Sequence, residues 1–210
     1  MKLKRSLAFI VLAAIAATAG ACTTPTTIEG AWRDPNFGAA PLHKIMVVAR
    51  VGNETNRRTL EDDYVATLSQ HGVQAMASYH AFQEPHPDRN VVRQYLVSEG
   101  YDGALVTMYK GTRTQVYVSP DIGFYGYYGD YWNEGYYTAT DQFVKAETSL
   151  WDPRTGKLIW TATSETENPS SASDAMSSLV SRITKSLTDA HLIAPSTAVS
   201  YTPNQQHIAM

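Results

Sequence analysis

Three apolar stretches, separated by helical patterns, constrain the fold most. Lys44 to Val51 is a nearly continuous apolar run rich in β-branched residues, which predicts a strand covered on both faces. A helix that Thr55 or Thr59 can cap follows it, and Val73 to Ala77 is a second strand. Because the crossover between parallel strands of one sheet is right-handed, this part of the chain predicts a βαβ unit.

The next segment repeats this alternation. Asn90 to Gly100 has apolar residues at helical spacing and ends with glycine. Ala104 to Tyr109 then begins a third buried strand, which continues or bends through Val118 with a wetter face. A second crossover is therefore predicted.

Two β-rich segments and a helix complete the predicted domain. Gln142 to Trp151 and Lys157 to Glu165 flank the turn-forming sequence Asp152 to Gly156, which predicts an antiparallel hairpin. A last helix starts at Ser170 or Ser173. The order β-α-β-α-β-β-β-α indicates an α/β fold, a two-layer or three-layer sandwich with a mixed β-sheet.

The first 22 residues have the pattern of an export signal. Three basic residues precede the uncharged apolar run Leu7 to Ala17, and small residues precede Cys22, the only cysteine. The run is shorter than the ~20 residues of a membrane-spanning helix. This segment resembles a bacterial lipoprotein signal, with Ala19 where leucine is usual, and the resemblance implies that Cys22 becomes a lipidated N-terminus. The alternative is an ordinary secretory signal with an incidental cysteine.

These patterns divide the chain into four parts. Residues 1–21 are the predicted signal peptide, residues 22–41 a Thr/Pro/Gly-rich tether, residues 42–193 a single α/β domain and residues 194–210 a polar tail. Trp32 and Phe37 are expected to hold the end of the tether on the domain by burying aromatic area.

Charge excludes some partners. Without residues 1–21 the chain has 14 Lys and Arg against 20 Asp and Glu, a net charge of −6 compared with −3 for the full chain. No cluster of basic residues is dense enough for nucleic acid, and an acidic surface is repelled by anionic lipid head groups. The expected contact with the membrane is therefore the lipid on Cys22.

No motif indicates catalysis, a cofactor or a metal. The sequence has no nucleophile elbow, phosphate-binding loop or zinc helix, so no catalytic, cofactor-binding or metal-ligating residue is assigned. His80, His86 and Asp88 could be imagined as metal ligands, but solvated turn residues are the favoured interpretation. Adjacent acids at positions 61, 62 and 63 are likewise interpreted as a solvated helix start in preference to an acid/base pair.

Residues 121–137 form an insertion of unusual composition. Eight of its 17 residues are aromatic and four are glycine, and none is basic. Tyrosine and glycine are favoured at recognition surfaces, so the candidate partner-binding residues are Tyr125, Tyr127, Tyr128, Tyr131, Trp132, Tyr136 and Tyr137. The alternative is a hairpin extension whose tyrosines pack on the sheet, or a low-complexity loop.

Several segments together carry a family resemblance. They are Trp32 to Pro35, Lys44 to Val51, Glu61-Asp62, Glu99 to Val106, Ser149 to Asp152 and Gly156 to Trp160. Over residues 31–192 the chain resembles a family of small bacterial envelope lipoproteins whose domain has no assigned function. The fold that this implies is similar to penicillin-binding-protein activator lipoproteins, the curli secretion lipoprotein and the amino-terminal domain of the Tol-system translocation protein. Those proteins are binding modules, and the kinship is one of fold.

The sequence thus predicts a lipid-anchored, non-enzymatic envelope protein. Its expected partner is an envelope protein or a cell-wall polymer, and its expected location is the outer membrane, facing the periplasm. The alternative is an enzyme that processes envelope glycan or peptide. An enzyme needs convergent acidic or nucleophilic groups in one pocket, whereas a binding module needs an exposed aromatic patch.

Overall fold

One six-stranded mixed sheet organises the computed structural model, which describes residues 24–38, 41–82, 87–120 and 136–196. The strands are β1 Thr26–Arg33, β2 Lys44–Arg50, β3 Gln74–Ala77, β4 Gly103–Pro120, β5 Tyr136–Trp151 and β6 Leu158–Glu167. The helices are α1 Glu54–Ser69, α2 Ser78–Ala81, α3 Arg89–Ser98 and α4 Ala172–Asp189. In these described ranges, no helix is long and apolar enough to cross a membrane.

The sheet order is β1-β6-β5-β4-β2-β3. Strand β2 is parallel to β3 and β4, whereas β4, β5, β6 and β1 pair antiparallel in turn. The predicted α/β fold with a mixed sheet is therefore confirmed. The predicted hairpin is present too, with Leu150 opposite Trp160 across β5 and β6.

Helices cover the two sheet faces unequally. On one face, α1 and α4 enclose the main core, in which Tyr64, Leu105, Leu150 and Ile183 are fully buried. Burial raises the pKa of the Tyr64 hydroxyl to about 12. On the other face, α3 contributes Leu96 to a smaller cluster with residues of β2 and the start of β4. The domain thus has three layers at β2 and two layers across β5, β6 and β1.

The prediction of a tether over residues 22–41 is corrected by β1. Residues 26–33 pair antiparallel with β6, and Thr26 Oγ1 lies 2.8 Å from Thr166 Oγ1. Phe37 packs against the main core as expected, but Trp32 is 47% exposed on the sheet surface. Strand β1 is an edge strand, and the register shift between Ile28 and Gly30 interrupts the alternation by which a strand is recognised in the sequence.

Two helices start at residues other than those predicted. Asn53 caps α1, because its side chain accepts a hydrogen bond of 2.7 Å from the Asn56 amide. Thr55 and Thr59 instead lie inside the helix. Ser171 caps α4 by accepting from the Asp174 amide. Asn, Ser and Thr all favour the N-cap position. The local sequence alone therefore does not distinguish the observed caps from the predicted Thr and Ser residues nearby.

Candidate binding surface

On the side of β5, β6 and β1 that no described helix covers, a row of side chains faces away from the main core. Across the strands, Val106 of β4 lies opposite Ser149 of β5, Ser149 opposite Thr161 of β6, and Thr161 opposite Trp32 of β1. The hydroxyl oxygens of Ser149 and Thr161 are 2.9 Å apart. With Trp151, which follows on β5, these residues are called the open-face patch.

Strand alternation explains why these residues share a face. Leu150 and Trp160 are buried in the main core, so the neighbouring Ser149, Trp151 and Thr161 point to the opposite side. Trp151 is 38% exposed, comparable with the exposure of Trp32. Half-exposed tryptophans present a large apolar area with an N–H donor, a combination that is enriched at protein interfaces.

Further along the same face, charged side chains neutralise one another. The ion pairs are Lys110–Glu147 at 3.2 Å, Lys145–Glu29 at 3.3 Å and Arg113–Glu165 at 2.9 Å. Burial opposes ionisation of Glu165, but the hydrogen bond from Arg113 and the nearby charge of Lys145 bring its pKa below the usual range. Exposed pairs of this kind add little stability, and their charges are already compensated.

A groove lies between α3 and the β5–β6 turn, which follows Trp151 in the chain. It has a volume of about 580 Å³ and is lined by Asn90, Arg93, Gln94, Val97 and Arg154. Helical spacing places the first four residues on one side of α3. The Nη2 atom of Arg93 donates a 3.0 Å hydrogen bond to the backbone oxygen of Arg154, which ties α3 to the β5–β6 turn.

The β5–β6 turn that presents Arg154 is held by its own hydrogen bonds. Asp152 accepts from the Arg154 amide at 2.9 Å and from the Thr155 hydroxyl at 2.7 Å. Gly156 adopts a φ of 70°, which glycine reaches without steric cost. Burial raises the pKa of Asp152, but these hydrogen bonds outweigh it, so the pKa lies below its usual value. Arg154 therefore projects from a firm support.

A second polar cluster lies where β2 and β3 end. Glu61 is fully buried, and its carboxylate accepts from the Ala49 amide at 2.9 Å, the Ser78 hydroxyl at 2.8 Å and the Tyr79 amide at 3.3 Å. The Arg57 guanidinium lies 3.8 Å away. Glu61 thus joins α1 to β2 and α2, and its oxygens are occupied by internal donors.

The interpretation of these acids as a solvated helix start is wrong for Glu61. Position 61 lies on the stripe of α1 that also buries Tyr64 and Leu68, so the helix turns this carboxylate inward. Asp62 instead accepts a hydrogen bond from the exposed Tyr79 hydroxyl. A charged residue on an apolar helical stripe was the sequence signal for this buried carboxylate.

The structure describes few of the predicted site residues. Cys22, Tyr125, Tyr127, Tyr128, Tyr131 and Trp132 lie outside the described residues. Tyr136 and Tyr137 begin β5, where they pair with Pro120 and Ser119 of β4. The predicted insertion therefore includes two strand residues, and residues 121–135 join the ends of β4 and β5.

The strands that lead to this segment extend beyond the rest of the sheet. From Gln115 and Asp141 outward, six residue pairs of β4 and β5 have only each other as strand partners in the described chain. At the base of this β4–β5 arm, Asn168 forms hydrogen bonds with both the N–H and the C=O of Gln142. Arg113 lies 4.4 Å from the Phe143 ring centroid, which adds a cation–π contact.

The possible metal ligands separate in the structure. His86 lies outside the described residues, whereas Asp88 caps α3 by accepting from the Asn90 amide at 2.8 Å. The His80 ring lies against Tyr79, with 4.2 Å between the centroids. Within the described part of the chain, no three His, Cys, Asp or Glu residues cluster as for a metal ion.

Solved structures with a similar chain course include bacterial lipoproteins. PelC from Paraburkholderia phytofirmans, solved as a dodecamer, has 16% identity and a TM-score of 0.48 over 82% of this chain and 100% of its own. Lipoprotein GNA1162 from Neisseria meningitidis has 16% identity and a TM-score of 0.40, covering 70% of this chain and 99% of its own. TolB from Acinetobacter baumannii has 15% identity and a TM-score of 0.36, covering 79% of this chain and 31% of its own.

No protein-family model and no curated protein sequence matches the chain. The resemblance to a lipoprotein family of unassigned function stays a prediction. At the identities and TM-scores of these solved structures, the function has to be argued from the residues of this chain.

Proposed function

We propose that this chain is a non-enzymatic lipoprotein of the bacterial envelope that binds a partner through its open-face patch. Its anchor is the lipid on Cys22, and Thr23 in place of aspartate after the cysteine resembles the signal for the outer membrane. The expected partner is an envelope protein, or a cell-wall polymer.

The observation that carries this proposal is the pair of half-exposed tryptophans on a sheet face that no described helix covers. Trp32 and Trp151 stand on the same face, with the small polar side chains of Ser149 and Thr161 between them. Because Trp32 and Trp151 are exposed on one face, a partner can bury apolar area against both side chains. The buried carboxylate of Glu61 accepts hydrogen bonds from three internal donors, which supports a structural role for this group. A structural role for this acid favours binding over catalysis.

Partner capture tests this function. Mild crosslinking in native membranes, followed by affinity purification, should recover a partner with the wild-type chain. The double variant Trp32→Ser/Trp151→Ser should recover at least about tenfold less, since hot-spot tryptophans each contribute more than about 2 kcal/mol. A chain with residues 121–135 replaced by a Gly/Ser loop tests the sequence-based prediction that the aromatic insertion binds.

Val91 provides the matched control, because it is 53% exposed on α3 and belongs neither to the patch nor to the groove lining. Val91→Ser should capture the partner as the wild type does. Undiminished capture by a folded tryptophan variant would place the binding surface elsewhere. If capture is lost only when residues 121–135 are replaced, the binding surface belongs to the aromatic insertion.

Loss of the Cys22 thiol should detach the protein from the membrane. Cys22→Ser removes the group to be acylated, and each buried methylene of a lipid chain contributes ~0.8 kcal/mol to membrane binding. Membrane fractionation and metabolic labelling with palmitate should show an unlabelled protein that is unprocessed or soluble. A variant that is processed and stays in the membrane fraction would contradict lipidation at Cys22.

A further inference from the structure

We propose that the groove beside α3 is a carboxylate-binding subsite for an acidic peptide segment of a protein partner. Arg93 and Arg154 are the groups that bind the carboxylate. This inference rests on the binding function proposed above, to which it adds a class of ligand and a second contact next to the open-face patch.

Two positively charged side chains line the groove. Arg93 reaches from α3 to the backbone of Arg154, so both residues line one groove although they are 61 positions apart. Neither forms an ion pair within 4.0 Å among the described residues, whereas Arg57, Arg58 and Arg113 each do. Each of these two cations therefore lacks a carboxylate partner among the described residues, and an anion bound in the groove would supply one.

The residues that line the groove carry N–H donors that can bind a carboxylate. A guanidinium is a planar fork of N–H donors that matches the two oxygens of a carboxylate. The side-chain amides of Asn90 and Gln94 can add further donors from α3. The nearby acid Asp152 has its carboxylate occupied by the amide of Arg154 and the hydroxyl of Thr155.

Charge distribution points to the same ligand. The chain without residues 1–21 has a net charge of −6. Nevertheless, four exposed basic residues belong to the groove lining or lie within three positions of it in the sequence: Arg89, Arg93, Arg154 and Lys157. Opposite charges steer an encounter more than they raise affinity. This basic region therefore provides the place where an acidic partner can approach an acidic protein.

The surroundings favour a peptide over other carriers of a negative charge. Val97 is exposed in the groove lining, and Trp151 is exposed at the end of β5 just before the turn. A peptide can place an apolar side chain on these residues and a carboxylate on the arginines, since consecutive residues are about 3.5 Å apart. Lipid phosphate fits the position poorly. The groove lies near the start of β6, whereas the chain enters the sheet from Thr24 at the other end of β6.

Binding of short probe peptides to the detergent-solubilised full chain tests the subsite. The first probe is a labelled tetrapeptide of alternating valine and glutamate with blocked ends, and the second has glutamine in place of glutamate. By fluorescence anisotropy, the wild type should bind the glutamate peptide about tenfold more tightly than the glutamine peptide, a difference that charge-assisted hydrogen bonds can supply. Arg93→Gln/Arg154→Gln should bind both peptides equally.

Arg113→Gln is the matched control, because Arg113 is exposed but paired with Glu165. It should keep the tenfold preference. Arg93→Lys, which keeps the charge but not the fork, should keep only part of it. Circular dichroism verifies that each variant is folded.

Two results would overturn the inference: equal binding of both peptides by the wild type, or loss of preference in Arg113→Gln. Partner capture from membranes is measured in parallel. Capture that depends on Trp32 and Trp151 without any peptide preference rejects the subsite and retains the proposed function. Peptide preference without capture supports the subsite and rejects the proposed function.

Discussion

Replacing Glu61 with alanine should lower the free energy of unfolding by about 3–5 kcal/mol, the usual effect of removing one partner from a buried charged network. The change leaves the amide of Ala49 and the hydroxyl of Ser78 without their acceptor inside the protein. It also removes the carboxylate that faces Arg57. Urea unfolding monitored by circular dichroism measures the loss as a shift in midpoint at constant slope.

Asp62→Ala is the control for this prediction, because Asp62 is the next residue but accepts only from an exposed tyrosine hydroxyl. It should cost less than about 1 kcal/mol. Glu61→Gln, which keeps one oxygen acceptor and the shape of the side chain, should fall between the two. Equal midpoints for Glu61→Ala and Asp62→Ala would show that the buried carboxylate does not hold α1, β2 and α2 together.

Leu150→Ala should destabilise the domain by about 2–5 kcal/mol, because the substitution leaves a cavity in a packed core. Leu150 is fully buried between β4 and β6 and belongs to the main core under α1 and α4. The loss is a large part of a domain's stability. The thermal midpoint and the urea midpoint should both fall.

Glu147→Ala tests whether the effect depends on the face of β5. Glu147 is on the opposite face, where it pairs with Lys110 on the surface. Its loss should change stability by less than about 1 kcal/mol. If Leu150→Ala unfolds at the wild-type midpoint, the assigned face of β5 is incorrect.

Strong local patterns predicted the central parts of this fold. The apolar run at Lys44 to Val51 and the two segments around Asp152 were recognisable because periodicity and turn residues occur within a few positions. Strand β1 was missed because its partner, β6, is 140 positions away at the pair Thr26 and Thr166. Nothing in the short sequence of an edge strand records such a distant pairing.

The candidate site was harder to predict than the fold. The sequence predicted a function for the aromatic insertion, whose residues 121–135 lie outside the described residues. It did not identify the open-face patch, because Trp32 and Trp151 meet on one face only through the order of three antiparallel strands. Arg93 and Arg154 are 61 positions apart, and they come together only where α3 meets the β5–β6 turn.

Because β1 begins at Thr26, only a few residues connect a lipid on Cys22 to the folded domain. Hydrogen bonds between the side chains and backbone of Thr24 and α4 residues Asp174 and Ser178 fix the chain there, only two residues after the cysteine. Two residues span at most about 7 Å, so lipidation would hold this end of the sheet against the bilayer surface. The β4–β5 arm leaves by the same end. The Arg93–Arg154 groove lies about 30 Å away along the ten residues of β6, so such an anchor would place the arm near the membrane and the groove on the side of the aqueous space.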